Sequence, residues 1–220
     1  MRFSMIMPVR NEAAGIQQAL ASLQSQRGAE LEIILIDGGS SDATVELAQP
    51  LVDQVLKSLP GRAKQMNTGA AVARGDWLIF LHADTRLPSN FTHIIPQQVS
   101  DWGRFDVRLE PTSPLLQLVA WMMNQRSRLT GICTGDQALV IRRDLFEQIG
   151  GYADIPLMED IELSKRLRQI CHPARLRPAL TTSSRRWQQN GSLRTIALMW
   201  WLRLAFWLGV SPQRLARWYR

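Results

Sequence analysis

Short apolar runs alternate with amphipathic segments along residues 1–100 of the chain. The apolar runs predict strands at residues 3–9, 31–36, 52–58 and 77–81. Apolar residues at helical spacing predict helices at residues 13–25, 43–48 and 64–74, the second with Asp42 as its N-cap. Because strands and helices alternate, we expect an α/β fold in which helices flank a mostly parallel sheet.

The second half of the chain has a weaker pattern. It predicts helices at residues 115–123, 158–168 and 193–208, and a strand at residues 137–141. Gly209, Ser211 and Pro212 predict a helix stop, an N-cap and a first helical residue, so that a last short helix runs to about Tyr219. A chain of 220 residues is expected to form one domain, with halves at 1–100 and 101–190 and a helical tail at 191–220.

Polar residues directly follow three of the predicted strands. They are Arg10-Asn11-Glu12, Asp37 and His82-Ala83-Asp84. Ligands of parallel α/β sheets bind at the carboxyl ends of the strands, so we expect these groups to share one site. A carboxylate such as Asp84 can bind a hard divalent cation that bridges two phosphates. The alternative is that Asp84 only caps the turn before Thr85.

Two further clusters have the composition of a functional site. Arg62 and Lys64 stand at the start of a predicted helix, where phosphate binding is favoured, and a solvated basic face is the alternative. Glu159, Asp160 and Glu162 open another helix, where one can act as a general base, although acids are also ordinary at a helix N-terminus. The chain has neither a GxGxxG nor a GxxxxGK[ST] motif, which disfavours a dinucleotide fold and a P-loop.

The charge of the chain is unevenly distributed. Its net charge is +7, but residues 1–162 carry 14 − 19 = −5, whereas residues 163–220 carry 12 basic residues and no acid. A block of one sign favours an anionic partner, which is a phospholipid, a nucleic acid or a phosphorylated substrate. Cys133 and Cys171 have no zinc-ligand spacing, and the N-terminal apolar run is too short for a secretory signal. We therefore expect buried thiols and a cytoplasmic location.

The ordered set of motifs resembles the family 2 glycosyltransferases, which have a GT-A fold. Residues 5–12 are similar to that family's first-strand motif, and residues 36–44 to its second. His82-Ala83-Asp84 stands where the family has Asp-x-Asp, and Gly150-Gly151-Tyr152 followed by Glu159-Asp160 resembles its acceptor half. The resemblance extends from residue 3 to about residue 168. It implies an inverting enzyme that moves a sugar from a nucleotide diphosphate sugar to a hydroxyl acceptor.

The resemblance also implies roles for individual residues. Asp37 is expected to contact the base, which favours uracil, and Asp84 to hold Mg²⁺ or Mn²⁺ on the diphosphate. Asp160, beside Glu159, is expected to be the catalytic base, and Asp136 to lie on the acceptor side. The residues expected to bind the donor are Pro8, Arg10, Glu12, Asp37, Arg62, Asn67, Ala83 and Asp84.

Two positions depart from the family pattern. Gly38 replaces the second Asp of Asp-Asp-Gly-Ser, so base recognition rests on Asp37 alone. His82 replaces the first Asp of Asp-x-Asp, and a neutral imidazole suits Mn²⁺ better than Mg²⁺ as a tentative metal ligand. The alternative for His82 is a contact with the donor sugar or ribose. The His-Ala-Asp variant resembles a short bacterial subgroup of the family.

The C-terminal segment is basic and aromatic. On the acceptor side, Trp187 is expected to stack on a sugar, and Arg185 or Arg186 to bind diphosphate. The alternative is a packed Trp beside solvated arginines. Residues 193–210 are mostly apolar, but Arg203 within them would cost about 2.5–3.5 kcal/mol in a membrane span. We therefore expect an amphipathic helix on an anionic membrane surface, which also admits a lipid-linked acceptor. Packing on the domain itself or on a second copy in a homo-oligomer is the alternative.

Two other functions stay open. A sugar nucleotidyltransferase shares the sheet topology and the acidic metal ligands, but it usually opens with a Gly-rich basic loop that residues 8–12 lack. A non-catalytic, nucleotide-sensing module at the membrane surface would not need Asp84 or Asp160. Nucleic acid is disfavoured as a partner, because the aromatic residues of the basic block lie in an apolar helix.

Overall fold

The computed structural model describes residues 2–219, except the side chains of Arg186, Gln189, Asn190 and Leu193. Its strands are β1 (Phe3–Val9), β2 (Leu31–Asp37), β3 (Gln54–Lys57), β4 (Trp77–Phe80), β5 (Thr85–Arg86), β6 (Trp102–Glu110), β7 (Leu139–Arg142) and β8 (Ala174–Ser183). They form one eight-stranded sheet in the order β3-β2-β1-β4-β7-β6-β8-β5.

Helices flank this sheet. They are α1 (Ile16–Ala21), α2 (Thr44–Ala48), α3 (Arg62–Val72), α4 (Phe91–Gln98), α5 (Pro114–Thr130), α6 (Arg143–Gln148), α7 (Glu159–Ile170), α8 (Arg185–Asn190), α9 (Ser192–Trp207) and α10 (Pro212–Tyr219). Short 3-10 turns lie at Gln49–Leu51 and Gly135–Gln137.

The N-terminal half of the sheet is parallel. Strand β1 pairs in parallel with β2 and β4, and β2 pairs in parallel with β3, while β7 runs antiparallel to β4 and β6. Every residue of β2 and β4 is buried, as their nearly all-apolar sequences predict for strands covered on both faces. The predicted α/β class, the mostly parallel sheet and the two C-terminal helices are confirmed.

Local contacts change the bounds of the helices. The segment predicted as a helix at 13–25 is helical only at Ile16–Ala21, because Glu12 O accepts from Gly15 N at 3.0 Å in a preceding turn. The predicted N-cap role of Asp42 is wrong, since Ala43 occupies the N-cap position of α2. Helix α5 continues to Thr130 and ends where Gly131 adopts φ +66°.

Strands β6 and β8 are absent from the sequence-based prediction because both carry charged residues at inward positions. Asp106 of β6 is buried and forms ion pairs with Arg104, with Arg175 of β8 (Nε–Oδ2 2.6 Å) and with Arg128 of α5 (Nη2–Oδ2 3.6 Å). A buried charge is tolerated when it is paired in this way. The two strands pair in parallel, which brings Arg175 of β8 beside Asp106 of β6.

The C-terminal helices pack on the domain. Leu202 and Ala205 of α9 and Leu215 of α10 are buried in one cluster with Met158 and Ile161, which flank the start of α7. The C-terminal helices therefore cover the edge of the sheet where α7 begins.

One face of α9 stays outside this contact. Its side chains Trp200, Trp201, Leu204 and Trp207, which we call the aromatic face of α9, are 59%, 55%, 49% and 74% exposed. Within residues 2–219, the structure has no helix with the length and apolar content needed to cross a membrane.

Candidate active site

The loops that follow β1 and β2 are locked together at the carboxyl end of the sheet. Asn11 Oδ1 accepts from Ser41 N at 2.8 Å, and Glu12 N donates to Thr44 Oγ1 at 2.8 Å. Asp42 Oδ2 accepts from Ala13 N at 3.1 Å. These bonds hold the polar residues after β1 in a defined position, which is the first requirement of a binding site on loops.

A pocket opens beside these loops, and we call it the sheet-edge pocket. Six of the eight residues predicted to bind the donor line it: Pro8, Arg10, Glu12, Arg62, Ala83 and Asp84. His82 and Glu159 also line it, and Ala216 and Tyr219 of α10 close its far side. The structure thus brings together residues from five separate segments of the chain.

Asp37 and Asn67 belong to the same edge, but their side chains bind other parts of the protein. Asp37 is 4% exposed, and its Oδ1 accepts from Ser40 N at 3.0 Å and from Ser40 Oγ at 2.5 Å. Asn67 exchanges two hydrogen bonds with the backbone of Tyr152, at 2.8 and 2.9 Å. Asp37 therefore shapes its own loop, and Asn67 ties α3 to the segment before α7.

Gln65 is a lining residue that the sequence-based prediction missed. Its Nε2 donates to Val9 O at 3.0 Å and to Ile36 O at 2.8 Å, so it joins the ends of β1 and β2. A Cβ at Gly38 would lie 2.9 Å from the same Nε2. The glycine that departs from the family motif therefore makes room for Gln65.

A second space, which we call the inner cavity, lies between the sheet edge and the C-terminal helices. Asp136, Asp160 and Trp187 line it. It shares lining residues with the sheet-edge pocket, namely Arg62, His82, Asp84, Leu157, Glu159 and Tyr219. The two spaces therefore form one continuous cleft in which the predicted donor and acceptor groups face each other. The side chain of Arg186 lies outside the described residues.

Asp160 is held at the centre of this cleft by backbone donors. Its Oδ2 accepts from Gly135 N at 3.0 Å, and its Oδ1 accepts from Ile161 N at 2.7 Å. Met158, which precedes α7, adopts φ +71°, a conformation that L side chains rarely take. The turn at Gly135–Gln137 and this strained helix start together fix the position of the carboxylate.

Glu159, the neighbour of Asp160, is buried and 5% exposed. Burial, followed by the charge of Asp160, raises the pKa of Glu159 to about 7, against a lowering contribution from Arg62. Glu159 therefore exchanges a proton near neutral pH, while Arg62 is the cation that faces it. Loss of solvent lowers the pKa of Arg62, but Glu159 and the other acids around it raise that pKa above its ordinary value.

His82 packs directly on Gly135. A Cβ at residue 135 would lie 2.6 Å from His82 Nε2, so only glycine fits there without a shift. Burial and then the charge of Arg62 lower the pKa of His82 to about 4. The imidazole is therefore neutral at pH 7, with its Nδ1 3.9 Å from Asp136 Oδ1. A neutral imidazole can accept a hydrogen bond or bind a metal ion.

The protein offers few ligands for a metal ion in this cleft. Across the described part of the chain, no three His, Cys, Asp or Glu side chains lie close enough to hold one together. Asp84 provides a carboxylate that accepts one bond, from Thr85 Oγ1 at 3.2 Å. This donor set fits a hard cation that takes most of its ligands from diphosphate and water, and it does not fit a structural metal site.

Two arginines of the inner cavity also escaped prediction. Arg126 of α5 and Arg203 of α9 both line it. The available signal in the sequence was the charge of Arg203 in the middle of an otherwise apolar stretch of α9. A third arginine, Arg185 of α8, donates from Nη2 to Glu12 Oε2 at 3.3 Å and so connects α8 to the loop after β1.

Comparison with known proteins identifies a family whose model covers the N-terminal part of the chain. Residues 4–95 match the family model described as Glycosyl transferase family 2. A PGL/p-HBAD biosynthesis glycosyltransferase of Mycobacterium bovis is 32% identical over 163 residues, which are 68% of this chain and 62% of that protein. The chain thus spans less than two thirds of the length of this relative.

Solved structures share the fold. TarS of S. aureus (residues 1–349) in complex with UDP-GlcNAc has a TM-score of 0.66 at 19% identity, covering 83% of this chain and 58% of that one. The mannosyltransferase PcManGT of Pyrobaculum calidifontis, in complex with GDP-Man and Mn²⁺, has a TM-score of 0.59 at 20% identity, covering 83% and 56%. With the GT-A fold shown by these structures and the family model matched at the sheet edge, the findings support a family 2 glycosyltransferase.

Proposed function

We propose that the protein is an inverting glycosyltransferase that moves a sugar from a nucleotide diphosphate sugar, with uridine as the base, to a hydroxyl acceptor. The observation that carries this proposal is the shared lining of the cleft. Asp84, which can hold a cation on a diphosphate, and Arg62, which can bind the diphosphate directly, line the same space as Asp160, which can accept a proton. The relatives named above bind UDP-GlcNAc and GDP-Man, and this proposal extends that chemistry to the present chain.

Asp160 acts as the general base in this proposal. It accepts the proton of the acceptor hydroxyl as that oxygen bonds to the anomeric carbon and the bond to the diphosphate oxygen breaks. The two backbone N–H groups that bind Asp160 hold its oxygens in place, because a base must lie within hydrogen-bond reach of the proton. Gly135 and Ile161 therefore position the base without side chains of their own.

Asp84 is the residue that would hold Mg²⁺ or Mn²⁺, and His82 would be a second ligand that favours Mn²⁺. The cation supplies positive charge that stabilises the leaving diphosphate. Arg62 adds charge from the start of α3, which also favours phosphate there.

We also propose that the protein binds the surface of an anionic membrane through the aromatic face of α9. Tryptophan side chains prefer the headgroup region, and residues 163–220 carry 12 basic residues and no acid. The charge of this segment complements phospholipid headgroups. The cytoplasmic leaflet carries such headgroups, which agrees with the expected location.

The test of the catalytic assignment is the variant Asp160→Asn. We expect transfer from a UDP-sugar, followed by release of UDP, to fall about 10²- to 10⁴-fold, the contribution of a positioned general base. Calorimetric titration with UDP and Mn²⁺ should give an affinity close to wild type, because the base acts only as the transition state forms.

The matched control is Asp154→Asn, whose exposed carboxylate pairs with Lys64 at 3.6 Å. This control should keep full activity. Full activity in Asp160→Asn would reject Asp160 as the base. Formation of a UDP-sugar from UTP and a sugar 1-phosphate by the wild type would favour a nucleotidyltransferase, and failure to bind any nucleoside diphosphate would reject both enzymes.

A further inference from the structure

Two guanidinium groups enter the inner cavity from helices on different sides. Arg126 belongs to α5 and Arg203 to α9. Within the described residues, the buried Nε atom of Arg126 has no hydrogen-bond partner, and Arg126 Nη2 donates to Thr134 Oγ1 at 3.4 Å. Among the side chains that the structure describes, Arg203 forms neither an ion pair nor a hydrogen bond, although the charges of Asp160 and Asp136 act on it.

This arrangement is costly in the free protein. Burial and the charge of Arg203 lower the pKa of Arg126 to about 10, and burial lowers the pKa of Arg203. Buried arginines are normally paired with a carboxylate, as Arg104 and Arg175 are with Asp106. The charge of Asp160 acts on both cavity arginines, but neither forms an ion pair with a carboxylate among the residues that the structure describes. An anion bound between the two guanidinium groups would supply the missing partner.

The cavity around the arginines is apolar on one side. Val119, Met122 and Met123 of α5 and Ile196 and Met199 of α9 line it. Methionine side chains adapt their shape to an apolar ligand at little cost. The same cavity therefore offers a binding place for an anion and, next to it, a surface for a hydrocarbon.

We propose that Arg126 and Arg203 bind a phosphate group carried by the acceptor substrate. This inference rests on the proposed glycosyl transfer. The planar guanidinium presents paired donors that match phosphate oxygens, and a desolvated site strengthens the bond. Neither arginine lines the sheet-edge pocket, where Arg62 serves the donor, so their phosphate belongs to the other substrate. The phosphate is that of a phospholipid-like acceptor or of a water-soluble phosphate ester.

Tryptophan fluorescence provides the test, because Trp187 and Trp200 line the same cavity. Purified full-length protein is titrated with decyl phosphate, decanol and glycerol phosphate. We expect decyl phosphate to bind at least about tenfold more tightly than decanol, since decanol lacks the charge-assisted bonds. Binding of glycerol phosphate as tight as that of decyl phosphate assigns the site to a soluble acceptor, and tighter binding of decyl phosphate assigns it to a lipid.

The variants Arg126→Met and Arg203→Met should each weaken decyl phosphate binding about 10- to 100-fold, the loss expected for a charge-assisted hydrogen bond. Arg126→Lys, which keeps the charge, should recover part of the affinity and guards against misfolding of the Met variant. Arg194→Gln on α9, which removes an exposed charge outside the cavity, is the matched control and should bind as wild type.

Three results would overturn the proposal. One is equal affinity for decyl phosphate and decanol, and another is unchanged affinity in both Met variants. The third is a loss of UDP affinity in those variants as large as the loss of decyl phosphate affinity, which would place the arginines on the donor side. Because these measurements need no turnover, failure of the proposal is distinguishable from failure of the glycosyltransferase assignment, which absence of UDP binding by the wild type would indicate.

Discussion

Gly135 allows the closest packing in the cleft, which makes Gly135→Ala the sharpest perturbation that the structure offers. The new Cβ would lie 2.6 Å from His82 Nε2. Ordinary contacts between such atoms are about 3.5 Å, so the ring or the turn must move by about 1 Å. The backbone at Gly135 is free of left-handed strain, so the effect comes from the contact alone.

Two consequences follow from a shift of that size. Overpacking of a filled site costs about 1–3 kcal/mol of folding stability. Gly135 N also donates to Asp160 Oδ2, so displacement of the turn moves the proposed base. A misplacement of about 1 Å in a reacting group can lower the rate about 10²-fold.

Denaturant unfolding and the rate of UDP release from a UDP-sugar measure the two effects. The matched control is Gly15→Ala, where the added Cβ would meet no atom within 4 Å. We expect Gly135→Ala to unfold at lower denaturant and to turn over about 100-fold more slowly, while Gly15→Ala changes the rate little. Wild-type stability and wild-type turnover in Gly135→Ala would refute the proposed contact between this turn and His82.

The remaining predictions concern the metal, a buried acid and the membrane. Asp84→Ala should weaken UDP binding by calorimetry only when Mn²⁺ is present, and an equal loss without Mn²⁺ would contradict a metal role. Burial raises the pKa of Glu159 from an ordinary 4.5 to about 7, so the folded state binds this proton more tightly than the unfolded state does. The free energy of unfolding therefore falls by on the order of 3 kcal/mol as the pH rises from 4.5 through about 7. Glu159→Gln should therefore lose less stability than wild type in denaturant unfolding between about pH 5 and pH 8, and identical profiles would disprove the buried ionisation. The double variant Trp201→Ser/Trp207→Ser should bind vesicles of anionic phospholipid more weakly than wild type in a sedimentation assay, whereas the control Leu129→Ser, at another exposed position, should bind as wild type. Equal binding by the wild type and both variants would argue against membrane binding through the aromatic face of α9.

The sequence pattern predicts the parallel half of the fold well, for a definite physical reason. Strands β1, β2 and β4 are covered on both faces, so their sequences are nearly all apolar and easily recognised. Strands β6 and β8 carry charged residues within them, and the burial of Asp106 depends on its ion pairs with Arg104 of the same strand and with Arg128 and Arg175 from other segments. No local pattern contains that information.

The candidate site also contains residues that the sequence pattern predicts and residues that it does not. Residues that follow parallel strands, such as Arg10 and Asp84, line the cleft because topology brings strand ends together. Asp37 lies at the same edge, yet its hydrogen bonds with Ser40 are visible only in three dimensions. The convergence of Arg126 with Arg203 depends on how α9 packs against the domain, which neither segment encodes on its own.

Helix α9 presents different residues to the protein and to solvent: Met199 and Arg203 line the inner cavity, whereas Trp201 and Trp207 are exposed. A helix that rests on a bilayer through its outer face places its inner face within about 10 Å, its own diameter, of the lipid headgroups. An amphiphilic substrate could then pass from bilayer to cavity without full hydration. For such a substrate, the rate would follow its surface density in the membrane, so dilution with inert lipid would slow the reaction at constant total concentration.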